Sequence, residues 1–109
     1  MDGRRQELLE ELERYYRGCG WKVERAPDGT LRAAGVGGVT WIAMAVVEAD
    51  LSDEGFADRL VELSDVRMAD DGARCPFELL PDPTCAGEVR SLLARLRLAE
   101  RVSVYSLAA

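Results

Sequence analysis

The chain has 109 residues, of which 48% are hydrophobic and 31% are charged, and its net charge is −6. This size and composition are typical of one globular domain over residues 1–109 and exclude an intrinsically disordered chain. The sequence contains no histidine. That absence excludes Ser-His-Asp and Cys-His nucleophiles as well as imidazole ligands for zinc.

The hydrophobic segments and the cysteines indicate where such a chain resides. The longest apolar run, Trp41–Val47, is far shorter than the about 20 residues that a membrane span requires, and no signal peptide is recognisable at the first residues. Cys19, Cys75 and Cys85 show no C-x-x-C spacing, which argues against a disulfide framework and a zinc knuckle. We therefore expect a cytoplasmic protein without membrane contact, in which all three cysteines are small buried residues.

The negative charge is concentrated in the middle of the chain. Residues 33–82 carry three arginines against eleven acidic residues and so hold a net charge of −8. A field of this sign repels phosphate backbones. The charge distribution therefore does not favour nucleic acid as a partner.

The first predicted element is an amphipathic helix. Apolar residues at helical spacing place one face against a core; they are Leu8, Leu9, Leu12, Tyr15, Tyr16 and Cys19. Gly18 and Gly20 follow this stripe at the positions where glycine commonly ends a helix.

Three strands are predicted next. Residues 21–26 and 30–34 flank the turn Pro27-Asp28-Gly29, a pattern that predicts a hairpin. The glycine-rich segment 35–38 predicts a second reversal; a phosphate-binding loop would lead into a helix, whereas this segment leads into a strand. Residues 39–47 are almost wholly apolar, which predicts a central strand covered on both faces.

A helix and a strand follow this central strand. Ser52 predicts the N-cap of the helix, whose buried stripe comprises Phe56, Leu60 and Leu63, with Ala57 and Val61. Residues 73–80 predict a strand that Pro76 either moves to the edge of the sheet or shortens. Residues 65–69 are a candidate hairpin partner for it.

A third helix and a last strand complete the order. Residues 81–84 predict the start of the helix, which carries Val89, Leu92, Leu93 and Leu96 at helical spacing. Residues 101–107 alternate as a final strand. The predicted fold is a single α/β (α+β) domain in the order α-β-β-β-α-β-α-β, with a mixed central sheet and three helices.

This order resembles the core of the PD-(D/E)XK, or restriction-endonuclease-like, superfamily. In that family an acid near the start of the second strand and an acid-x-lysine at the end of the third strand hold a divalent metal. The order is also similar to that of type III secretion chaperone-like domains, which likewise begin with a helix, a three-stranded meander and a helix.

The resemblance to the nuclease family implies a Mg²⁺ or Mn²⁺ site formed by Asp28, Glu48 and Asp50. Asp28 lies in the predicted hairpin turn and Glu48 at the end of the central strand. Asp50 stands where the family has its lysine. The acids after the central strand also have a structural explanation, because carboxylates are favoured near a helix N-terminus.

Three functions are open to a chain with these features. The leading prediction is a non-catalytic interaction or regulatory module without a cofactor, which binds a protein partner or a second copy of itself. The alternatives are a divalent-metal nuclease-like domain, active or inactive, and a binder of small molecules or peptides at the sheet edge. Val102, Val104 and Leu107 of the last predicted strand favour a sheet-edge dimer contact.

Overall fold

A five-stranded mixed sheet with helices on both faces forms the molecule. The computed structural model describes residues 3–35, 38–68 and 72–105. The elements in chain order are α1 (Gly3–Gly18), β1 (Lys22–Arg25), β2 (Leu31–Ala34), β3 (Thr40–Val46), α2 (Glu48–Leu51), α3 (Phe56–Ser64), β4 (Phe77–Pro81), α4 (Ala86–Arg95) and β5 (Val102–Val104). The predicted mixed α/β domain and the approximate order of its elements are confirmed. No helix within the described ranges is long and apolar enough to cross a membrane.

The strands lie in the order β1-β2-β3-β4-β5. β1, β2 and β3 form an antiparallel meander, whereas β3, β4 and β5 run parallel to one another. Parallel neighbours need a crossover. The segment that contains α2 and α3 connects β3 to β4, and α4 connects β4 to β5.

The two faces of β3 belong to two separate cores. Ile42, Met44 and Val46 pack with residues of α3 and α4, on the side that we call the α4 face. Ala43 and Ala45 point to the opposite side, the α1 face, where they pack with residues of α1. Successive side chains of a strand alternate between faces, so a strand apolar at every position is covered on both sides. The predicted central position of this strand is confirmed.

Two of the turns that the glycines predicted are present in the described residues, whereas the reversal predicted at 35–38 includes residues 36 and 37, which lie outside them. α1 ends at Gly18, and Gly20 follows it with φ +86°. Gly29 closes the turn between β1 and β2 with φ +87°. These positive φ values are in the region that glycine adopts without a steric penalty.

The predicted start of the second helix is wrong. The chain forms an additional short helix, α2, directly after β3, so that the described residues contain four helices instead of the predicted three. Ser52 is the C-cap of α2 and not the N-cap of α3, which begins at Phe56. Asp50 has two roles here: its Oδ2 accepts the Val47 N–H at 2.9 Å and closes a turn immediately after the strand, and its carboxylate pairs with the distant Arg5 of α1.

Pro76 shortens β4, which is one of the two predicted outcomes. The strand begins at Phe77, directly after the proline, and lies inside the sheet. The carbonyl of Pro76 accepts the Ile42 N–H at 2.9 Å, a contact that needs no donor from proline. The hairpin predicted for residues 65–69 is reduced, among the described residues, to one bridge between Arg67 and Arg74.

The ends of the last helix and the last strand also differ from the prediction. α4 begins at Ala86, because Pro81 is still the final residue of β4. β5 covers Val102–Val104 alone. The predicted contribution of Leu107 falls outside the described residues.

Candidate functional site

The carboxylates predicted as metal ligands lie at one end of the sheet. Leu31 is opposite Ala43 in the β2–β3 register, so the turn that holds Asp28 lies beside the end of β3. Glu48 and Asp50 belong to α2, which begins directly after that end. The chain topology thus brings the three residues to the same end of the sheet.

Asp50 is fully engaged in contacts between α1 and α2. The two guanidinium nitrogens of Arg5 donate to its two carboxylate oxygens at 2.7 and 3.0 Å. Oδ2 also accepts the Val47 N–H at 2.9 Å. Such a bidentate pair is among the stronger charge-assisted contacts, and it fixes the start of α1 against the end of β3.

Asp28 is engaged within its own hairpin. Its Oδ1 accepts the backbone N–H of Thr30 at 3.0 Å and the Thr30 hydroxyl at 2.6 Å, and its Oδ2 accepts a guanidinium N–H of Arg32 at 3.1 Å. Burial alone would raise the pKa of Asp28, but the hydrogen bonds from Thr30 and Arg32 outweigh it and lower the pKa.

Two of the three predicted ligands, Asp28 and Asp50, already pair with arginines, and the third, Glu48, has no such contact among the described residues. Glu48 is exposed, and no group of three acidic, cysteine or histidine side chains converges anywhere in residues 3–35, 38–68 and 72–105. Lys22, the sole lysine, is opposite Ala34 at the start of β1, and Ala34 is opposite Thr40 at the start of β3. The lysine is therefore at the other end of the sheet. This arrangement does not fit a hydrated divalent metal, which prefers several free oxygen ligands.

A buried carboxylate that the sequence did not reveal lies on β4. Glu78 is 3% exposed and points to the α1 face, where it is opposite Ser103 of β5. Its Oε1 accepts the hydroxyl of Tyr16 and its Oε2 accepts the hydroxyl of Tyr105. One phenol comes from α1 and the other from the residue directly after β5, so Glu78 joins three elements.

The two phenols are held in their neutral form. Burial, followed by the hydrogen bond to Glu78, raises the pKa of Tyr16, and the same two causes raise the pKa of Tyr105. A neutral phenol remains a donor. The Tyr16–Glu78–Tyr105 contacts are therefore built from one acceptor group and two hydroxyl donors, which satisfies the buried carboxylate.

Aromatic rings continue from this group along the α1 face. Tyr15 and Tyr105 have ring centroids 5.8 Å apart, Tyr16 and Trp21 are 6.1 Å apart, and Trp21 and Trp41 are 5.2 Å apart with nearly perpendicular planes. Both tryptophans pack against the core on this face. Tyr15 is the exposed member, at 55%.

The two edges of the sheet differ in charge. On β1 the exposed side chains are Lys22, Glu24 and Arg25, and Arg25 also approaches Glu13 of α1 at 3.7 Å. Charges of this kind prevent another strand from pairing with an edge. β5 has the sequence Val-Ser-Val and carries no charge, so it lacks this protection.

The backbone of β5 presents hydrogen-bonding groups to the outside. The Tyr105 N–H donates to the Leu79 carbonyl of β4 at 2.8 Å. Backbone groups of a strand alternate in direction, so the N–H and C=O of Val104 point away from β4. The Val102 N–H is already used, since it donates to the Leu98 carbonyl at 2.9 Å.

A groove of about 460 Å³ runs beside this edge on the α4 face. Leu93, Val102 and Val104 form its apolar floor, Arg90 lies on its α4 side, and Glu100 lies just before the strand. A second groove, of about 660 Å³, is lined by α2 and α4 with Thr84 between them and borders no strand edge. The β5 edge is therefore where free backbone groups and apolar side chains occur together.

The cysteines follow the prediction in two cases out of three. Cys75 and Cys85 are buried, and burial raises the pKa of both thiols, which is the opposite of what a reactive cysteine needs. Cys19 is exposed, contrary to expectation, because it follows the last residue of α1 and lies beyond the part of the helix that packs on the sheet.

Comparison with protein-family models, with curated proteins and with solved structures found no match to this chain.

Proposed function

We propose that this chain is a non-catalytic protein-interaction module that binds an extended segment by strand addition at β5. The observation that carries the proposal is the contrast between the charged β1 edge and the uncharged β5 edge, where the N–H and C=O of Val104 point outward. In strand addition, main-chain hydrogen bonds supply affinity, and alternate side chains enter pockets beside the edge. The groove lined by Leu93 and Val102 is such a pocket.

The buried Glu78 contacts support this role because they hold the binding strand in place. β5 is three residues long, and a strand this short has few ladder hydrogen bonds of its own. The Tyr105 hydroxyl and N–H both bind β4, through Glu78 and the Leu79 carbonyl respectively. A preformed edge lowers the entropic cost of binding.

Val104→Pro is expected to weaken strand addition about tenfold or more, because proline removes the outward N–H that would pair with the incoming strand. The probe is a peptide selected by display for binding to the wild-type protein, and its affinity is measured by NMR titration of backbone amides. Val104→Thr is the matched control, since it keeps the β-branched shape and the N–H.

We expect the peptide to shift the amides of residues 102–105 and to bind Val104→Thr nearly as tightly as the wild type. Equal affinities for Val104→Pro and Val104→Thr would contradict the proposal. So would shifts confined to the groove between α2 and α4.

The nuclease-like alternative has one observation in its favour. Asp28 and the acids of α2 lie at the same end of the sheet, which is the region where the resembled family places its metal. Against it stand the contacts of Asp50 with Arg5 and of Asp28 with Arg32. These ion pairs would have to break before the carboxylates could bind a cation.

We accordingly expect no saturable binding of Mn²⁺ or Mg²⁺ at millimolar concentration in titration calorimetry. The Glu48→Ala variant serves as the comparison and should behave like the wild type. Saturable binding of about one ion per chain that Glu48→Ala abolishes would favour the nuclease-like function instead.

A further inference from the structure

We infer that the segment that adds to β5 carries an arginine or lysine opposite Ser103, whose cationic group lies over the rings of Tyr15 and Tyr105 on the α1 face. The inference rests on the proposed function and specifies the chemistry of the partner segment. It follows from three features of the edge: the direction of the side chains of an added strand, a buried carboxylate without a counter-ion, and an exposed aromatic ring beside it.

A residue of the added strand opposite Ser103 points to the α1 face. Ser103 is opposite Glu78 in the β4–β5 register, and Glu78 contacts Tyr16 of α1, so Ser103 is on the same face. Directly opposite residues of neighbouring strands point to the same face in parallel and in antiparallel pairs. Ser103 is small and exposed. A long side chain can therefore pass over it to Tyr105, which is the diagonal neighbour of the incoming residue at roughly 7–8 Å.

Glu78 gives this region a negative charge that has no cationic partner among the described residues. Its two oxygens accept the hydroxyls of Tyr16 and Tyr105, and none of the ion pairs in the described part of the chain includes it. Arg14, which precedes Tyr15 on α1, pairs with Glu11 instead. A phenol that donates to a carboxylate is polarised by it, which favours a cation over its ring.

Tyr15 provides the accessible surface of the site. It is 55% exposed, and its ring centroid lies 5.8 Å from that of the half-buried Tyr105. A cation within about 6 Å of an aromatic ring centroid is attracted to the face of the ring, and arginine makes this contact more often than lysine. The chain as a whole has a net charge of −6, which also favours a basic partner segment.

The α4 face of the same edge selects different side chains. Residues of the added strand that lie opposite Val102 and Val104 point to the groove, whose floor includes Leu93. The groove contains one cation and one anion, Arg90 and Glu100, so it offers a basic residue no net attraction. We therefore expect apolar residues opposite the two valines and a basic residue between them, since a shift of one residue would exchange the two faces.

Three peptides test the inference by NMR titration of backbone amides. They derive from the display-selected peptide described above and carry arginine, glutamine or glutamate at the position that nuclear Overhauser contacts place beside Ser103. We expect the glutamine peptide to bind about threefold more weakly than the arginine peptide, and the glutamate peptide about tenfold more weakly.

Tyr15→Leu tests the aromatic part of the site without a change to Glu78. The variant should at least halve the preference for arginine over glutamine, because the exposed ring is lost. Val61→Ala is the matched control, since Val61 is likewise exposed, at 43%, but lies on α3. This control should keep the full preference.

Equal affinities of the three peptides for the wild type, or an unchanged preference in Tyr15→Leu, would overturn the inference. If the affinities are equal and Val104→Pro abolishes the binding of all three peptides, strand addition stands and only the basic residue is wrong. If none of the peptides shifts the amides of residues 102–105, the proposed function fails and the inference fails with it.

Discussion

Replacement of Glu78 by leucine is expected to lower the free energy of unfolding by about 3 kcal/mol. The substitution keeps an apolar stem but removes both acceptors, so the buried hydroxyl of Tyr16 and the half-buried hydroxyl of Tyr105 lose their partner. An unsatisfied buried hydroxyl costs about 1–3 kcal/mol. Urea unfolding followed by far-UV circular dichroism measures the change.

Glu62→Leu is the matched control for this substitution. Glu62 is an exposed residue of α3, and a surface change of this kind is expected to alter stability by less than about 0.5 kcal/mol. The free energy of unfolding of Glu78→Gln should lie between those of the two variants, because the amide retains one acceptor oxygen. Equal stability of Glu78→Leu and Glu62→Leu would show that the buried carboxylate does not stabilise the fold.

Amide hydrogen exchange of the Glu78→Leu variant tests whether Glu78 holds the end of β5 against β4. The Tyr105 N–H donates to β4, so its exchange reports whether the end of β5 stays paired. In Glu78→Leu we expect this amide to lose protection more than that of Ile42, which lies in the central strand β3. Uniform loss at both positions would indicate a global effect and not a specific role of Glu78 in holding the edge.

Alkaline pH is expected to destabilise the protein through the same two tyrosines. Folding raises the pKa of Tyr16 and Tyr105 above the ordinary value of 10.0. The folded state thus retains protons that the unfolded state releases, so the stability is fully present below about pH 10 and falls as pH rises above it. At pH 11 the buried Tyr16 alone should lower the free energy of unfolding by about 1.4 kcal/mol.

The free energy of unfolding is measured in urea at about pH 8, 10 and 11, a range that spans the ordinary pKa of tyrosine. Cys75 and Cys85, whose pKa values burial also raises, contribute to the fall in every variant. The role of Tyr16 is therefore isolated by comparison with Tyr16→Phe. That variant starts less stable at pH 8, but its stability should fall less steeply. Parallel curves for the two proteins would contradict the raised pKa of Tyr16.

The sequence correctly predicted those elements that are determined by residues close to one another along the chain. Four residues of the predicted stripe form the buried face of α1, Leu8, Leu9, Leu12 and Tyr16, because helical spacing alone brings them together. The other two, Tyr15 and Cys19, are exposed. Gly29 has the positive φ that its turn required. The run of apolar residues in β3 predicted a strand covered on both faces, because no exposed position interrupts it.

Contacts between distant residues decided the elements that were mispredicted. Asp50 reads as an acid of a helix N-terminus, yet its partner Arg5 lies 45 residues earlier, and their pairing accompanies the short α2 that moves the start of α3 to Phe56. Pro76 was expected either to move β4 to the edge of the sheet or to shorten it, and packing decided between the two. The parallel strand β5 occupies the edge beside β4, and β4 itself is shortened.

The candidate site likewise combines features that the sequence shows with features that depend on tertiary contacts. The sequence by itself determined that the last strand alternates in apolar residues and that the first strand carries charged side chains; it predicted the last strand over residues 101–107, whereas the structure limits β5 to Val102–Val104. Only the tertiary structure decided that these strands occupy the two edges of one sheet. It also decided that Glu78 meets Tyr16 and Tyr105, residues separated from it by 62 and 27 positions. Periodicity reports which face of an element is buried, whereas the partner of a buried polar group depends on how the elements pack.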